Sequence, residues 1–514
     1  MQDQAAADQA ALLQWAGKVA WRSTGVVVVA GTLQCPYWEL IRHCNAGTQI
    51  VLFDPDRTDD FAAEKAVGVA CCTTLHELRG LVATRYKVPL RCEVIGTEPI
   101  QKRYGEEVTA LVDTTIKGVW EAEHTTRVNA QRWAHLGLVA LEQMIGRPVL
   151  NGLAPCLAGR TAVIVGAGPS LDRNIDALAA NQDRVAIFAT DASVGPLYRA
   201  GIHPHVVVTV EANGEPTAKT LQNPLWREAV VIPGVHVAEH VWKLRPLRWL
   251  WGVQMVGSVG PFVVQTMGLP LLRSGGSVST IAYSAAQVMG ADRVVLVGMD
   301  SAYAPDGRFY AGKVAHSHRP SKDPISKCEA WGGVGYVDAP RAMCSYREWF
   351  EARAAEQAAL GRPLINATEG GARIRDAEET RLVEALGALP VDASVRGDIV
   401  AAVDGARTVE AAPIVEGLRA ELERARIAAV FAAEAGENMW RAHSRIETML
   451  GLPKADILFR ASVGPIQETG MMPRGNELLA ASQILRRVAE TQTTLDGMIR
   501  ATVESIERTH GRAS

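Results

Sequence analysis

Short apolar runs rich in β-branched residues recur along most of the chain, and many of them stop at small or acidic residues. The first set is Gly25–Ala30, Gln49–Phe53 and Leu90–Ile95. Runs of this kind suit strands of a parallel sheet that is covered on both faces. The second set is Thr161–Val165, Arg184–Thr190, Val206–Glu211, Ala229–Pro233, Arg248–Gly252 and Arg293–Gly298. Helical spacing fills the gaps at Leu171–Ala180, Ser193–Ala200 and Val278–Met289. This β–α alternation predicts a doubly wound, mostly parallel sheet. Thr126–Ile145 reads as a helix leading into it. Beyond Ala406 the chain turns rich in Ala, Glu, Arg and Leu, with helical spacing over 408–449 and 476–508. Pro and Gly residues in Gly451–Arg474 separate those two stretches.

The pattern divides the chain into an α/β domain over 1–150, a central α/β domain over 151–405 and a helical domain over 406–514. A length of 514 residues requires more than one hydrophobic core. The formal net charge of −3 argues against nucleic acid as a partner, because no broad cationic field is available. The eight cysteines are scattered and show no metal-ligand spacing, so free thiols and no metal centre are expected. The N-terminus carries no basic, apolar leader, and no apolar run approaches the roughly 20 residues of a membrane span. A cytoplasmic protein without membrane insertion is the expectation.

The candidate chemistry lies where the strands end. In an open parallel sheet, ligands sit beyond the carboxyl ends of the strands. There the sequence reads Gly166-Ala167-Gly168-Pro169-Ser170, then Thr190-Asp191, then Glu211-Ala212-Asn213, then Asp300. Gly166 and Gly168 allow close backbone approach, Pro169 suits an early helix position, and Ser170 opens the following helix, whose N-terminus favours an anion. Ser274-Gly275-Gly276-Ser277 opens the helix Val278–Met289 in the same way, as an anion cradle or as an ordinary serine cap. Asn366 and Glu369, in Asn366-Ala367-Thr368-Glu369-Gly370-Gly371, follow another apolar pair. After Asp300 comes a polar stretch with Tyr303, Asp306, Arg308, Tyr310, Lys313, His316, His318, Arg319 and Lys322. His316 and His318 are candidate general bases, since imidazole titrates near neutral pH. His203 and His205, which flank Pro204, read as structural. In the first domain Asp54 follows a strand, but the preceding turn Ala30-Gly31-Thr32-Leu33 lacks a GxGxxG fingerprint. A turn and helix cap is the expectation there.

Several of these segments resemble the motility accessory factor (Maf) family of bacterial flagellin glycosyltransferases. They are Gly166–Asp172, Gly201-Ile202-His203-Pro204-His205, Gly275-Gly276-Ser277-Val278, Gly298-Met299-Asp300 and Ile365–Gly371. The central domain is also similar to bacterial sialyltransferases and to an archaeal 6-hydroxymethylpterin diphosphokinase. Ala167 stands where the sialyltransferase turn has asparagine, and His205 where Maf relatives have aspartate. The resemblance implies a Rossmann-like central domain, a second Rossmann-like domain before it and a helical domain after it. It implies transfer of a nonulosonic acid, of the pseudaminic or legionaminic type, from a CMP-activated donor to a Ser or Thr hydroxyl of flagellin. The transfer would invert the anomeric carbon, and no tightly bound cofactor is expected. His316 or His318 would take the acceptor proton. Ser170, Ser277 and their helix N-termini would hold the phosphate, while Asp191, Glu211, Asn213 and Asp300 would orient the base, ribose or sugar. Two other readings stay open. One is an Mg-ATP dependent diphosphokinase-like phosphotransferase, and the other is a flagellin-binding factor without enzymatic activity.

Overall fold

The computed structural model describes residues 2–86, 90–150, 153–213, 222–252, 259–268, 272–312, 325–423 and 496–510. The chain divides into two compact units, 1–128 and 129–514. The division falls inside a 47-residue helix, Glu98–Met144.

The first unit is an α/β domain around four parallel strands. These are β1 (Thr24–Ala30), β2 (Gln49–Phe53), β3 (Ala70–Cys72) and β4 (Arg91–Gly96), in the order β3-β2-β1-β4. Every residue of β1 is buried. Its side chains alternate, with Val27 and Val29 entering one core and Val26 and Val28 the other. Strand period two on a sheet covered on both faces produces this division. Asp54 does cap the turn after β1. Its Oδ2 accepts from the Thr32 N–H at 3.0 Å and from Thr32 Oγ1 at 2.7 Å.

The second unit is built on eight parallel strands. They are β5 (Thr161–Val165), β6 (Ala186–Thr190), β7 (Val206–Thr209), β8 (Val230–Pro233), β9 (Arg248–Trp249), β10 (Arg293–Val297), and the short β13 (Ile365–Asn366) and β14 (Glu378–Glu379). A separate antiparallel hairpin joins β11 (Ile325–Glu329) to β12 (Tyr336–Pro340). The large sheet runs β14-β13-β10-β5-β6-β7-β8-β9. The chain therefore builds outward from β5 to β9, then returns to the other side of β5 to lay down β10, β13 and β14. The reversal of strand order lies between β5 and β10, the position where an open α/β sheet forms its ligand crevice.

Both faces of this sheet are covered. Ala162 and Ile164 of β5 pack with helices Val278–Val288, Arg341–Ala359 and Val395–Asp404. Val163 and Val165 pack on the opposite face with Leu171–Ala180, Val194–Arg199 and Leu382–Gly387. Fully burying each such aliphatic side chain contributes about 1.5–3 kcal/mol. Of the helical tail, 424–495 lies outside the described residues. The stretches 411–423 and 496–510 are helical. They pack through Ile414, Leu418, Ile499 and Val503 against Leu138, Leu141 and Phe262.

The central and N-terminal α/β architecture agrees with the sequence expectation. The helix expected at Thr126–Ile145 begins much earlier, at Glu98. Ile100, Val108 and Val112 form its apolar stripe and enter the core of the first unit. Pro99 occupies its second position, where a missing N–H costs nothing.

Candidate functional site

Two turns meet at the strand reversal. The turn after β5 runs along the turn after β10, and the Gly166 N–H donates to the Val297 carbonyl at 2.8 Å. The Gly168 N–H donates to the Gly298 carbonyl at 2.9 Å. The contact ends in a clasp between side chains. The Ser170 N–H donates to Asp300 Oδ1 at 3.0 Å, and Ser170 Oγ donates to Asp300 Oδ2 at 2.6 Å. Ser170 is 2% exposed and Asp300 5%. Burial, opposed by the bonds from Ser170, pushes the Asp300 carboxyl up to about 6.

Glycine is required here by space. A Cβ on Gly168 would lie 2.0 Å from Asp300 Oδ2, and one on Gly166 would lie 2.4 Å from the Gly298 carbonyl oxygen. Gly371 closes the clasp from β13. Its φ is +70°, and an added Cβ would lie 2.2 Å from the Asp300 carbonyl oxygen. The Ala372 N–H donates to that same oxygen at 2.7 Å. Ser301, directly after Asp300, sits at φ 49°, a left-handed conformation that costs a non-glycine residue of order 1–3 kcal/mol and often marks a functional segment.

The inner turn has therefore engaged most of its donors internally. The Leu171 N–H goes to the Gly168 carbonyl at 3.1 Å, and the Arg173 N–H to the Ser170 carbonyl at 2.9 Å. Glu369 is similarly occupied, while the buried Asn366 Nδ2 has no hydrogen-bond partner among the described residues. Asn366 is fully buried, and its Oδ1 accepts from the Thr368 N–H at 3.2 Å. Glu369, at φ 57°, accepts through Oε1 from Asn174 Nδ2 at 2.9 Å and from the Leu382 N–H at 2.8 Å. It thus caps the helix Leu382–Gly387.

The open part of the site lies on the other side of β5, over the ends of β6 and β7. Asp191 accepts from Thr209 Oγ1 at 2.9 Å and from the Ala192 N–H at 2.8 Å. Burial pushes its carboxyl up to about 6. Glu211 Oε1 accepts from the Asn213 N–H at 2.7 Å, and Asn213 Oδ1 accepts from Arg132 at 2.7 Å. The Tyr310 hydroxyl is raised above its ordinary value by burial first, then by Asp191, Glu211 and Tyr346. That coupling brings the loop after β10 into one group with the ends of β6 and β7.

The helix Val278–Val288 contributes its N-terminus to the same rim. Only four residues separate it from the start of β10, so it runs antiparallel to the strands. Ser277 is its N-cap residue, but its side chain makes no capping bond. Ser277 Oγ pairs instead with Ser279 Oγ at 2.9 Å. Residues 274–279 are half-exposed to exposed. An uncapped, accessible helix N-terminus suits an anion. Gly275 lies against the Trp349 ring and Gly276 against that of Tyr346. Tyr346 and Trp349 are absent from the sequence reading, because helix Arg341–Ala359 shows no amphipathic stripe that would place them. The signal available was their aromatic character just after a candidate site loop.

The loop after β10 is pinned to the inner turn. The Ala311 N–H donates to the Ala167 carbonyl at 2.8 Å, and Arg308 pairs with Asp172 at 2.7 Å. His316 and His318 lie outside the described residues. His205 is half-buried and receives the Ile187 N–H on Nδ1 at 3.0 Å, and burial of its ring lowers its imidazole to about 3. His203 pairs with Glu228 at 2.6 Å. Among the described residues, no three His, Cys, Asp or Glu side chains group to hold a metal ion, and no helix is long and apolar enough to cross a membrane.

The second unit and the chain as a whole have counterparts among known proteins. Residues 139–306 match the 6-hydroxymethylpterin diphosphokinase MptE-like family. The matched stretch holds β5 to β10 and both turns of the clasp. The chain shares its fold with a Maf glycosyltransferase. That protein is the MAf glycosyltransferase from Magnetospirillum magneticum AMB-1, with a TM-score of 0.53 and 14% sequence identity. The similarity covers 98% of this chain and 85% of the Magnetospirillum one. It therefore extends over the described parts of both units. No curated protein matches the chain.

Proposed function

We propose that the protein is a glycosyltransferase that moves a nonulosonic acid from a CMP-activated donor to a Ser or Thr hydroxyl of flagellin. The observation that carries this reading is the meeting of the Ser170 and Asp300 turns at the strand reversal, beside an open acidic and aromatic rim. The shared fold with a Maf glycosyltransferase supports it. In this reading Asp300 acts through Ser170, holding the two turns so that the donor finds a preformed rim. The Ser277 helix N-terminus receives the phosphate and stabilises the charge that develops as it leaves. Asp191, Glu211 and Asn213 face the sugar and ribose hydroxyls, which donate to the carboxylates and exchange hydrogen bonds with the amide. His316 or His318 takes the acceptor proton, and direct attack inverts the anomeric carbon. The donor is a substrate, with no tightly held cofactor, and the reaction takes place in the cytoplasm.

The match to the diphosphokinase family favours a second reading, transfer of a diphosphate from ATP with Mg²⁺. Asp191 and Glu211 would then face the metal–nucleotide complex. Calorimetric titration of the purified chain with CMP, CTP and ATP, each with and without Mg²⁺, separates the two. Binding of CMP without Mg²⁺ is expected. Binding of ATP alone, and only with Mg²⁺, would replace the first reading by the second.

A further inference from the structure

Cys328 and Cys344 bring their sulfurs to 3.6 Å, 16 residues apart in sequence. Both are free thiols. The hairpin geometry creates this approach. Cys328 pairs with Val337 across the β11–β12 ladder, and both turn to the face that packs with Ala302, Ala339 and Ala372. Helix Arg341–Ala359 starts directly after β12, and its first turn returns Cys344 over that same face. A disulfide has a sulfur–sulfur bond of about 2.05 Å, so the two sulfurs need to close by roughly 1.5 Å. The neighbours in that small core are mostly alanines, which leave room for the adjustment.

We propose that Cys328 and Cys344 are a reversible redox-modification site that a small-molecule disulfide converts to an intrachain disulfide. Cys344 is half-buried and Cys328 only 6% exposed, so the reaction enters at Cys344. Its thiolate attacks one sulfur of the small disulfide and displaces one small thiol, leaving a mixed disulfide on Cys344. Cys328 then loses its proton and attacks Cys344 Sγ, which releases the second small thiol. Two electrons and two protons pass from the cysteines to the small disulfide. Burial, then the neighbouring Cys328, pushes the Cys344 thiol up to about 11. The thiolate is therefore scarce at neutral pH, and the site responds slowly to mild oxidation.

The bridge ties the hairpin to the helix that carries Tyr346 and Trp349, the aromatic rings against Gly276 and Gly275. It also locks Ala302 and Ala372, which flank the Asp300 segment in sequence and in hydrogen bonding. Oxidation thus stiffens the wall of the open rim. This inference stands independently of which group the protein transfers.

The test incubates the full chain with oxidised glutathione at pH 7 and pH 9, blocks residual thiols by alkylation and maps the digest by mass spectrometry. A Cys328–Cys344 linked peptide is expected, forming on the order of 100-fold faster at pH 9 and removed by dithiothreitol. Cys328→Ala should instead accumulate a glutathione adduct on Cys344, and Cys344→Ala should give no link. Amide exchange over 325–340 should slow about tenfold or more in the oxidised chain. Recovery of both cysteines as alkylated free thiols from folded protein, or linkage of Cys328 to a different cysteine, would overturn the proposal.

Discussion

Replacing Gly168 by alanine tests the clasp most severely, because one added methyl group lands on it. The new Cβ would stand 2.0 Å from Asp300 Oδ2 and 2.7 Å from the Gly298 carbonyl oxygen. The nearer atom belongs to a short, buried side chain, and the other is backbone, so neither yields easily. Ordinary contact near 3.5 Å requires the carboxylate to retreat by roughly 1.5 Å. That movement separates it from Ser170 Oγ, now at 2.6 Å, and from the Ser170 N–H at 3.0 Å. Hydrogen bonds to a charged group are each worth about 1.5–3 kcal/mol, so the loss is about 3–6 kcal/mol. Calorimetric titration with CMP should show affinity at least about 100-fold weaker, given that roughly 1.4 kcal/mol is one decade. Urea denaturation followed by tryptophan fluorescence should show a lower midpoint. The matched control is Gly397→Ala, in the first turn of helix Val395–Asp404, where an added Cβ meets nothing within 4 Å. If Gly168→Ala keeps both the CMP affinity and the denaturation midpoint of the parent, the clasp is not what organises the rim.

The control is a prediction in its own right: Gly397→Ala should raise the midpoint, by about 0.5–1 kcal/mol in stability, because alanine loses less backbone freedom in a helix, and an unchanged or lower midpoint would contradict it. Asp300→Asn should change the pH dependence of stability. Burial raises the parent carboxyl to about 6 from 3.8, so the folded chain retains a proton that the unfolded chain releases, and parent stability falls as pH rises from about 4 to 6. The amount is up to about 3 kcal/mol. Asparagine keeps one acceptor and one donor for Ser170 and has no charge to bury. The variant should therefore gain on the parent through that window and stay level with it below pH 4, as read from denaturation midpoints across pH; parallel profiles would remove Asp300 as the source. Asp191 is raised in the same direction but is common to both proteins and cancels in the comparison.

Much of this architecture is legible in the chain because its strands are buried on both faces. Val26–Ala30 and Thr161–Val165 carry apolar residues at every position or nearly so, and the acids and glycines that end them stand out. Short edge elements carry no such signal. β14 is only Glu378–Glu379, and its pairing with β13 is a consequence of the sheet already formed. β11, Ile-Ser-Lys-Cys-Glu, alternates weakly and pairs only with its own hairpin partner. The early start of helix Glu98–Met144 is written in Ile100, Val108 and Val112, whose spacing near four is easily lost among polar neighbours. The site divides in the same way. The Gly166–Ser170 and Asp300 turns are visible as motifs, but sequence cannot show that Ser170 spends its hydroxyl on Asp300, or that Glu369 spends its carboxylate on the Leu382 N–H. Those outcomes depend on which side of β5 the chain returns to. Tyr346 and Trp349 enter the site through the packing of a helix that starts more than 60 residues after Ser277.

The most direct measurement is the intact mass of flagellin produced with the parent protein, with the His316→Ala/His318→Ala double variant, and without the protein. The account predicts a flagellin carrying one or more nonulosonic acid masses with the parent, and bare flagellin in the other two cases. Bare flagellin with the parent present, in cells that make the CMP-activated donor, would contradict the transferase assignment. Full glycan mass with the double variant would remove both histidines from the mechanism.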